Sequence, residues 1–207
     1  MTKTGLIWTV IVWVAITIYS YYYVNWFILA FLWFGLSLLF LILTVIQIIK
    51  TIKERKHLTS LRIAKLAAFA ALLFLTVDGR KVNLAIEKVD WLILQSKRNK
   101  IVEQVKNEEL KPNVSWNGSI CELPFSFPVV SNGGNDISIS KNEGSKATTV
   151  TFWVFRNFHD SPSTQFIYTD DLETISEIEK KIAAAPEYNW KIKDNWYRTY
   201  GELEEDY

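Results

Sequence analysis

Residues 4–49 read TGLIWTVIVWVAITIYSYYYVNWFILAFLWFGLSLLFLILTVIQII, without a single Asp, Glu, Lys or Arg between Lys3 and Lys50. The stretch holds four of the nine Trp and four of the nine Tyr. A helix rises about 1.5 Å per residue and the hydrocarbon layer is about 30 Å thick, so one crossing takes roughly 20 residues. This run is long enough for two. Its polar interruption, Ser20-Tyr21-Tyr22-Tyr23-Val24-Asn25-Trp26, falls where a hairpin needs it, because Tyr and Trp rings favour the bilayer interface. The spacing predicts helices over about 6–19 and 26–49. A cleaved signal peptide has an apolar core of only about 7–15 residues, so a retained anchor is the better reading.

Working outward, the overall averages of 49% hydrophobic and 22% charged residues resemble those of a soluble protein, but they conceal a division of charge. Residues 1–78 carry seven Lys/Arg against two acids, and residues 79–207 sixteen against twenty. No concentrated basic domain exists of the kind a nucleic-acid binder needs. The basic residues Lys50, Lys53, Arg55, Lys56, Arg62 and Lys65 follow the second apolar helix with Glu54 alone opposing them. A short loop this basic is retained on the cytoplasmic side, which puts the N-terminus inside and the tyrosines outside. The same cluster could grip anionic lipid headgroups.

Leu66–Val77 is apolar all round, unlike an amphipathic surface helix. Extending it back to Leu61 predicts a third crossing over 61–77, with Arg62 and Lys65 snorkelling to the interface. If it spans, the C-terminal part is extracytoplasmic; if it is a short buried or interfacial helix, that part is cytoplasmic. The spanning reading is preferred. Residues 79–111 then read as a connector: from Val82 to Leu110 there is no Gly or Pro. Ala85, Val89, Leu92, Ile101 and Val105 recur at helical spacing, while Glu87, Lys88, Asp90, Lys97, Arg98 and Lys100 take other faces. Trp91-Leu92-Ile93-Leu94 needs a partner, and Pro112 ends the helix.

After Pro112 the period changes. Ile137–Ser140 alternates, and Thr148–Phe155 is β-branched and aromatic, both patterns of half-buried strands. Asn132-Gly133-Gly134-Asn135 and His159-Asp160-Ser161-Pro162-Ser163 read as loops, the second preceding a strand at Gln165–Tyr168. Asp170 with Glu173 resembles a capping box, opening a helix with an Ile175, Ile178, Ile182 stripe that covers one face of a sheet. Trp190–Lys193 and Trp196–Tyr200 form a hairpin turned at Asp194-Asn195, and the acidic residues 202–207 fray. The expected fold is thus a membrane α-helical region with two to three transmembrane helices (1–78), the connector (79–111), and a small α+β domain with an antiparallel sheet (112–207).

The strand Val150–Phe155 followed by Arg156, the loop acid Asp160, the strand ending Phe166-Ile167-Tyr168, and the closing Asp194-Asn195-Trp196-Tyr197 resemble the C-terminal part of small bacterial multi-pass membrane proteins with no assigned activity. The resemblance covers about 50 of the 207 residues. Those proteins often place Gly after the Phe-Arg pair, where this chain has Asn157. What it implies is a bacterial envelope protein; it implies no reaction.

Residues that could carry chemistry are few. The only histidines are His57 and His159, and a zinc site needs three or four converging ligands. Cys121 is the sole cysteine, so it forms no intrachain disulfide and reads as a small buried apolar residue. His159, Asp160, Ser161 and Ser163 offer the elements of acyl transfer, but adjacency in a turn does not arrange a triad. Asp170, Asp171 and Glu173 could hold a hard cation, though capping already accounts for them. Asn113-Val114-Ser115 and Asn117-Gly118-Ser119 match a glycosylation pattern that matters only in a eukaryotic lumen. Trp116, Trp153, Trp190, Trp196 and Tyr197 could form a binding platform, although alternating strand aromatics more often build core. Arg156, beside aromatics at a strand end, could recognise a carboxylate or phosphate, so the binding candidates are Arg156, Trp153, Trp196 and Tyr197.

With no catalytic constellation, no cofactor and no metal expected, the sequence reads as a non-enzymatic, membrane-anchored binding or accessory protein of the bacterial cytoplasmic membrane. Its C-terminal domain lies outside. Its partners would be the lipid bilayer and a protein, either another subunit or a second copy, and no nucleic acid. An immunity protein against a toxin, a membrane-associated hydrolase using His159, Asp160 and a serine, and a sensor working through the connector are the alternatives.

Overall fold

The computed structural model describes residues 2–23, 26–142, 144–156 and 163–201. The chain divides into two compact units, Met1–Val89 and Asp90–Tyr207.

The first unit contains α1 (Lys3–Tyr23), α2 (Trp26–Lys53), a 3-10 turn (Arg55–His57) and α3 (Ser60–Val77). All three α-helices are long and apolar enough to cross a membrane by length and composition, with mean hydropathies of 1.6, 2.6 and 1.8. The expected tyrosine hairpin is shorter than the sequence suggests. Helix α1 continues through Tyr23, whose ring stacks on Tyr19 one turn earlier with centroids 5.3 Å apart. Val24 and Asn25, the centre of the expected turn, lie outside the described residues.

Each span keeps one face inward. On α3 the buried positions Lys65, Phe69, Leu72 and Thr76 follow the alternating three- and four-residue spacing of a helix seam. Phe69 and Leu72 join Trp13 of α1 and Phe40 of α2 in one cluster. The Trp13 indole donates to Thr76 Oγ1 at 3.0 Å, tying α1 to α3. Side chains opposite the seam are open: Phe31 is 65% and Phe34 72% exposed, as expected of surfaces whose solvent is lipid. Arg62 turns away from the apolar layer to form a bidentate pair with Glu54 at 2.6 and 2.8 Å and to reach Gln47 at 3.2 Å. Lys65 lies on the inner seam instead.

Helix α4 (Gly79–Lys106) ends short of Pro112, because Glu108 adopts a left-handed conformation, φ 62°. The amides of Glu109 and Leu110 both return to the Gln104 carbonyl, which satisfies a helix end.

The second unit is a six-stranded, wholly antiparallel sheet in the order β1-β2-β3-β4-β6-β5. Its strands are β1 (Ile120–Glu122), β2 (Asp136–Lys141), β3 (Thr148–Phe155), β4 (Thr164–Thr169), β5 (Trp190–Lys193) and β6 (Trp196–Tyr200). The register aligns Ile137, Phe152 and Phe166 across three strands, and Val150, Tyr168 and Trp196 beside them. Residues 90–106 of α4 cover this face, where Trp91 meets Phe166 and Trp196 at 5.0 Å each. Helix α5 (Leu172–Ala184) covers the other, its Ile175, Ile178 and Ile182 packing on Ile167 and Tyr197. Both faces being covered explains why β4 is buried at five of its six positions.

Three residues assigned to the polar side of α4 are instead buried: Glu87, 5% exposed, and the pair Asp90 and Arg98. Asp90 and Arg98 are each 2% exposed and pair at 2.6 Å. The Arg98 Nε donates to the Val130 carbonyl at 2.9 Å, and the guanidinium lies 4.9 Å from the Phe166 ring centroid. Helical spacing places Arg98 in line with Leu94, Ile101 and Val105, so it occupies a core position of the apolar stripe. Removing one partner leaves the other charge buried and uncompensated, at a cost of about 3–5 kcal/mol. Arg98→Ala is therefore expected to lower the stability of this unit by about that amount, and an Asp90→Leu/Arg98→Met double variant to lose less. Hydrogen-exchange protection of the β4 and β6 amides measures both.

Candidate functional site

The best-defined polar corner of the second unit begins with loop 131–135. Gly133, Gly134 and Asn135 have φ of 91°, 129° and 61°, three consecutive values in the region that favours glycine. Asn135 makes this sharp path affordable by satisfying four main-chain groups. Its Oδ1 accepts from the amides of Val130 and Ser131 at 2.7 and 3.2 Å, and its Nδ2 donates to the carbonyls of Phe125 and Pro128 at 3.1 and 3.0 Å. The loop then pairs with the end of β3. Ser131 Oγ accepts from the Trp153 amide at 3.0 Å, the Asn132 amide donates to the Trp153 carbonyl at 2.7 Å, and the Asn132 side chain donates to the Val154 carbonyl.

These contacts deliver Arg156 to the corner. Its guanidinium carbon lies 4.4 Å from the Trp153 ring centroid, and Nη1 meets Asp136 Oδ2 at 3.2 Å. A Cβ placed on Gly133 would sit 3.5 Å from Arg156 Cδ, so loop and side chain are in contact. Asp136 also lines an open groove of about 520 Å³ with Glu122, Phe125 and Gly134. The arrangement couples a stacked guanidinium, with N–H groups beyond the one given to Asp136, to an acidic groove. That suits recognition of a polar group.

The other binding candidates lie elsewhere. Trp196 and Tyr197 are neighbours on β6 and point to opposite faces, 1% and 2% exposed. The Trp196 indole donates to Asn99 Oδ1 at 3.0 Å, while Tyr197 sits under α5. Trp153 shares the face of Tyr197, and Trp116 stands 66% exposed in a turn. The five aromatics therefore do not form one platform. Lys50, Lys53, Arg55 and Lys56 are exposed, as is His57 in the 3-10 turn. His159, Asp160 and Ser161 lie outside the described residues; Ser163 is buried just before β4.

Cys121 is buried, and burial, aided by Asp136 and Glu122, pushes its thiol above the ordinary range, away from the reactive thiolate form. The expected capping box shifts by one residue. Asp171 caps α5 by accepting from the Thr174 amide at 3.0 Å and its hydroxyl at 2.8 Å, bonds that lower its carboxyl below the usual value. Asp170 is thereby free to pair with Lys106 at 2.7 Å and to accept from the Thr148 amide at 2.6 Å. Among the described residues, no three His, Cys, Asp or Glu are grouped to hold a metal ion. Sequence reasoning missed Asn135 and Lys106 because their partners are distant in the chain; the Gly-Gly-Asn run was the one visible sign of the former.

Burial opposes the charges of Asp170 and Lys106. The hydrogen bonds between them, with those from Thr148 to Asp170 and from Lys106 to Tyr168, outweigh it: Asp170 is lowered from 3.8 and Lys106 raised from 10.5. A lowered acid stabilises the fold above its unfolded value and loses that contribution as pH falls through the folded one. A raised lysine contributes below 10.5 and loses it as pH climbs through its higher folded value. An Asp170→Asn variant should thus unfold more readily than wild type at neutral pH. The difference should begin to shrink as pH drops below 3.8 and vanish once it passes the lower folded value, as paired denaturation curves across pH would show. No family model, no curated protein and no solved structure matches this chain.

Proposed function

We propose that this chain is a non-enzymatic, membrane-anchored binding or accessory protein of the bacterial cell envelope, acting as a subunit of a membrane complex. The observation that carries the reading is the joining, in one chain, of three apolar helices to a compact α+β unit whose strongest charges are spent on its own fold. Asp90 and Arg98 neutralise each other, Lys106 and Asp170 fasten a helix to the sheet, and Asp171 caps α5. The corner around Arg156 and Trp153 is the surface this reading assigns to a partner's polar group. The basic residues after α2 support a cytoplasmic N-terminus, and three crossings from there put the second unit outside.

The reading is tested by native expression, washing of membranes at alkaline pH, and solubilisation in mild detergent. The protein should stay with the washed membranes and co-elute with a stoichiometric partner, and Arg156→Ala should weaken that co-elution without altering the melting profile. A chain that elutes alone, or washes off the membrane, counts against it. A reporter active only outside the membrane, fused after Tyr207, should be active.

A further inference from the structure

We infer that the end of α2 and the turn leading to α3 form a binding site for anionic phospholipid headgroups, built by Lys50, Lys53, Arg55 and Lys56. The inference rests on the membrane-spanning reading of α2 and α3, and adds a ligand that the anchor alone does not require.

The argument starts from charge. The segment's single acid, Glu54, is consumed by the bidentate pair with Arg62, and Arg62 is further held by Gln47. That clip fastens the start of α3 to the end of α2 and cancels one charge of each sign. Lys50, Lys53, Arg55 and Lys56 remain exposed, and among the described residues none has an acidic partner. Lys50 and Lys53 are one helical turn apart at the end of α2, so they share a face. Arg55 and Lys56 follow in the 3-10 turn.

Position completes it. Both ends of the segment are ends of apolar spans, Lys53 and Ser60, so it lies where headgroup phosphates are. Ile52, 63% exposed, and Leu58, 43% exposed, are interleaved with the cations and can enter the acyl boundary beneath them. Four separated, exposed cations along the end of α2 and the turn after it suit an array of phosphates on a surface, at an attraction of roughly fivefold in affinity per basic residue. They do not enclose one soluble ion. A signal for topology alone needs only the net charge and no lipid selectivity afterwards.

The test uses the full chain purified in mild detergent and supplied with equal phosphatidylglycerol and phosphatidylcholine, the retained lipid being measured by mass spectrometry. Wild type should retain phosphatidylglycerol preferentially, and at least roughly tenfold of that preference should disappear in Lys50→Gln/Lys53→Gln/Arg55→Gln/Lys56→Gln. Added inorganic phosphate should not compete. Glu54→Gln, which releases Arg62, should strengthen the preference. Equal retention of the two lipids, an undiminished preference in the quadruple variant, or displacement by free phosphate at matched ionic strength overturns the inference. Failure to enter phosphatidylcholine vesicles would instead remove the membrane reading beneath it.

Discussion

Hydrocarbon offers no hydrogen bonds, and that constraint shapes the first unit. A helix satisfies its own main chain, but every polar side chain within a span must find an internal partner. Four threonine hydroxyls do so by turning back on their own helix. Thr9, Thr17, Thr44 and Thr76 donate to the carbonyls of Gly5, Trp13, Phe40 and Leu72, four residues earlier, at 2.6–2.9 Å. Their polarity is absorbed locally, leaving the seam between helices to Trp13, Phe40, Phe69 and Leu72. Of the two charges near the start of α3, Arg62 is drawn to the end of the span and matched by Glu54, whereas Lys65 stays on the inner seam.

The second unit meets the opposite problem. Its sheet is covered on both faces, so charges near its centre lose water and must be matched from within. Arg98 is matched by Asp90 and the Val130 carbonyl, and spreads its flat cation near the Phe166 and Trp91 rings, where a weakly hydrated guanidinium is better accommodated than an ammonium. The two units thus share a rule and differ in its execution: short-range back-bonding in the spans, long-range pairing in the sheet.

How much of this was legible follows from range. The spans could be read because their signal is a local run of charge-free residues. Strand β3 could be read because Val150, Phe152 and Val154 alternate with Thr149, Thr151 and Trp153. Strand β1 could not: it is three residues long and depends on β2 and on Asn113, whose side chain serves both main-chain groups of Glu122. Asp170 and Asp171 are adjacent acids, and which one caps α5 is decided by Lys106, more than sixty residues earlier. Arg98 looked like surface because charge is usually exposed, although its position in the stripe was that of a core residue. At the corner site, Arg156 and Trp153 were legible as neighbours in sequence, whereas Asp136 and the Asn135-braced loop come from folding.

The bond from Trp13 to Thr76 has a geometric corollary. Thr76 gives its proton to Leu72 and takes one from the indole, so its hydroxyl serves both neighbours at once. A greasy cylinder held by dispersion alone could spin about its long axis with little penalty. Here a turn of even one residue's worth would strand an indole proton in a medium that cannot receive it. The azimuth of α1 is pinned at one latitude, and Trp8 and Ile18 are committed to their outward bearing.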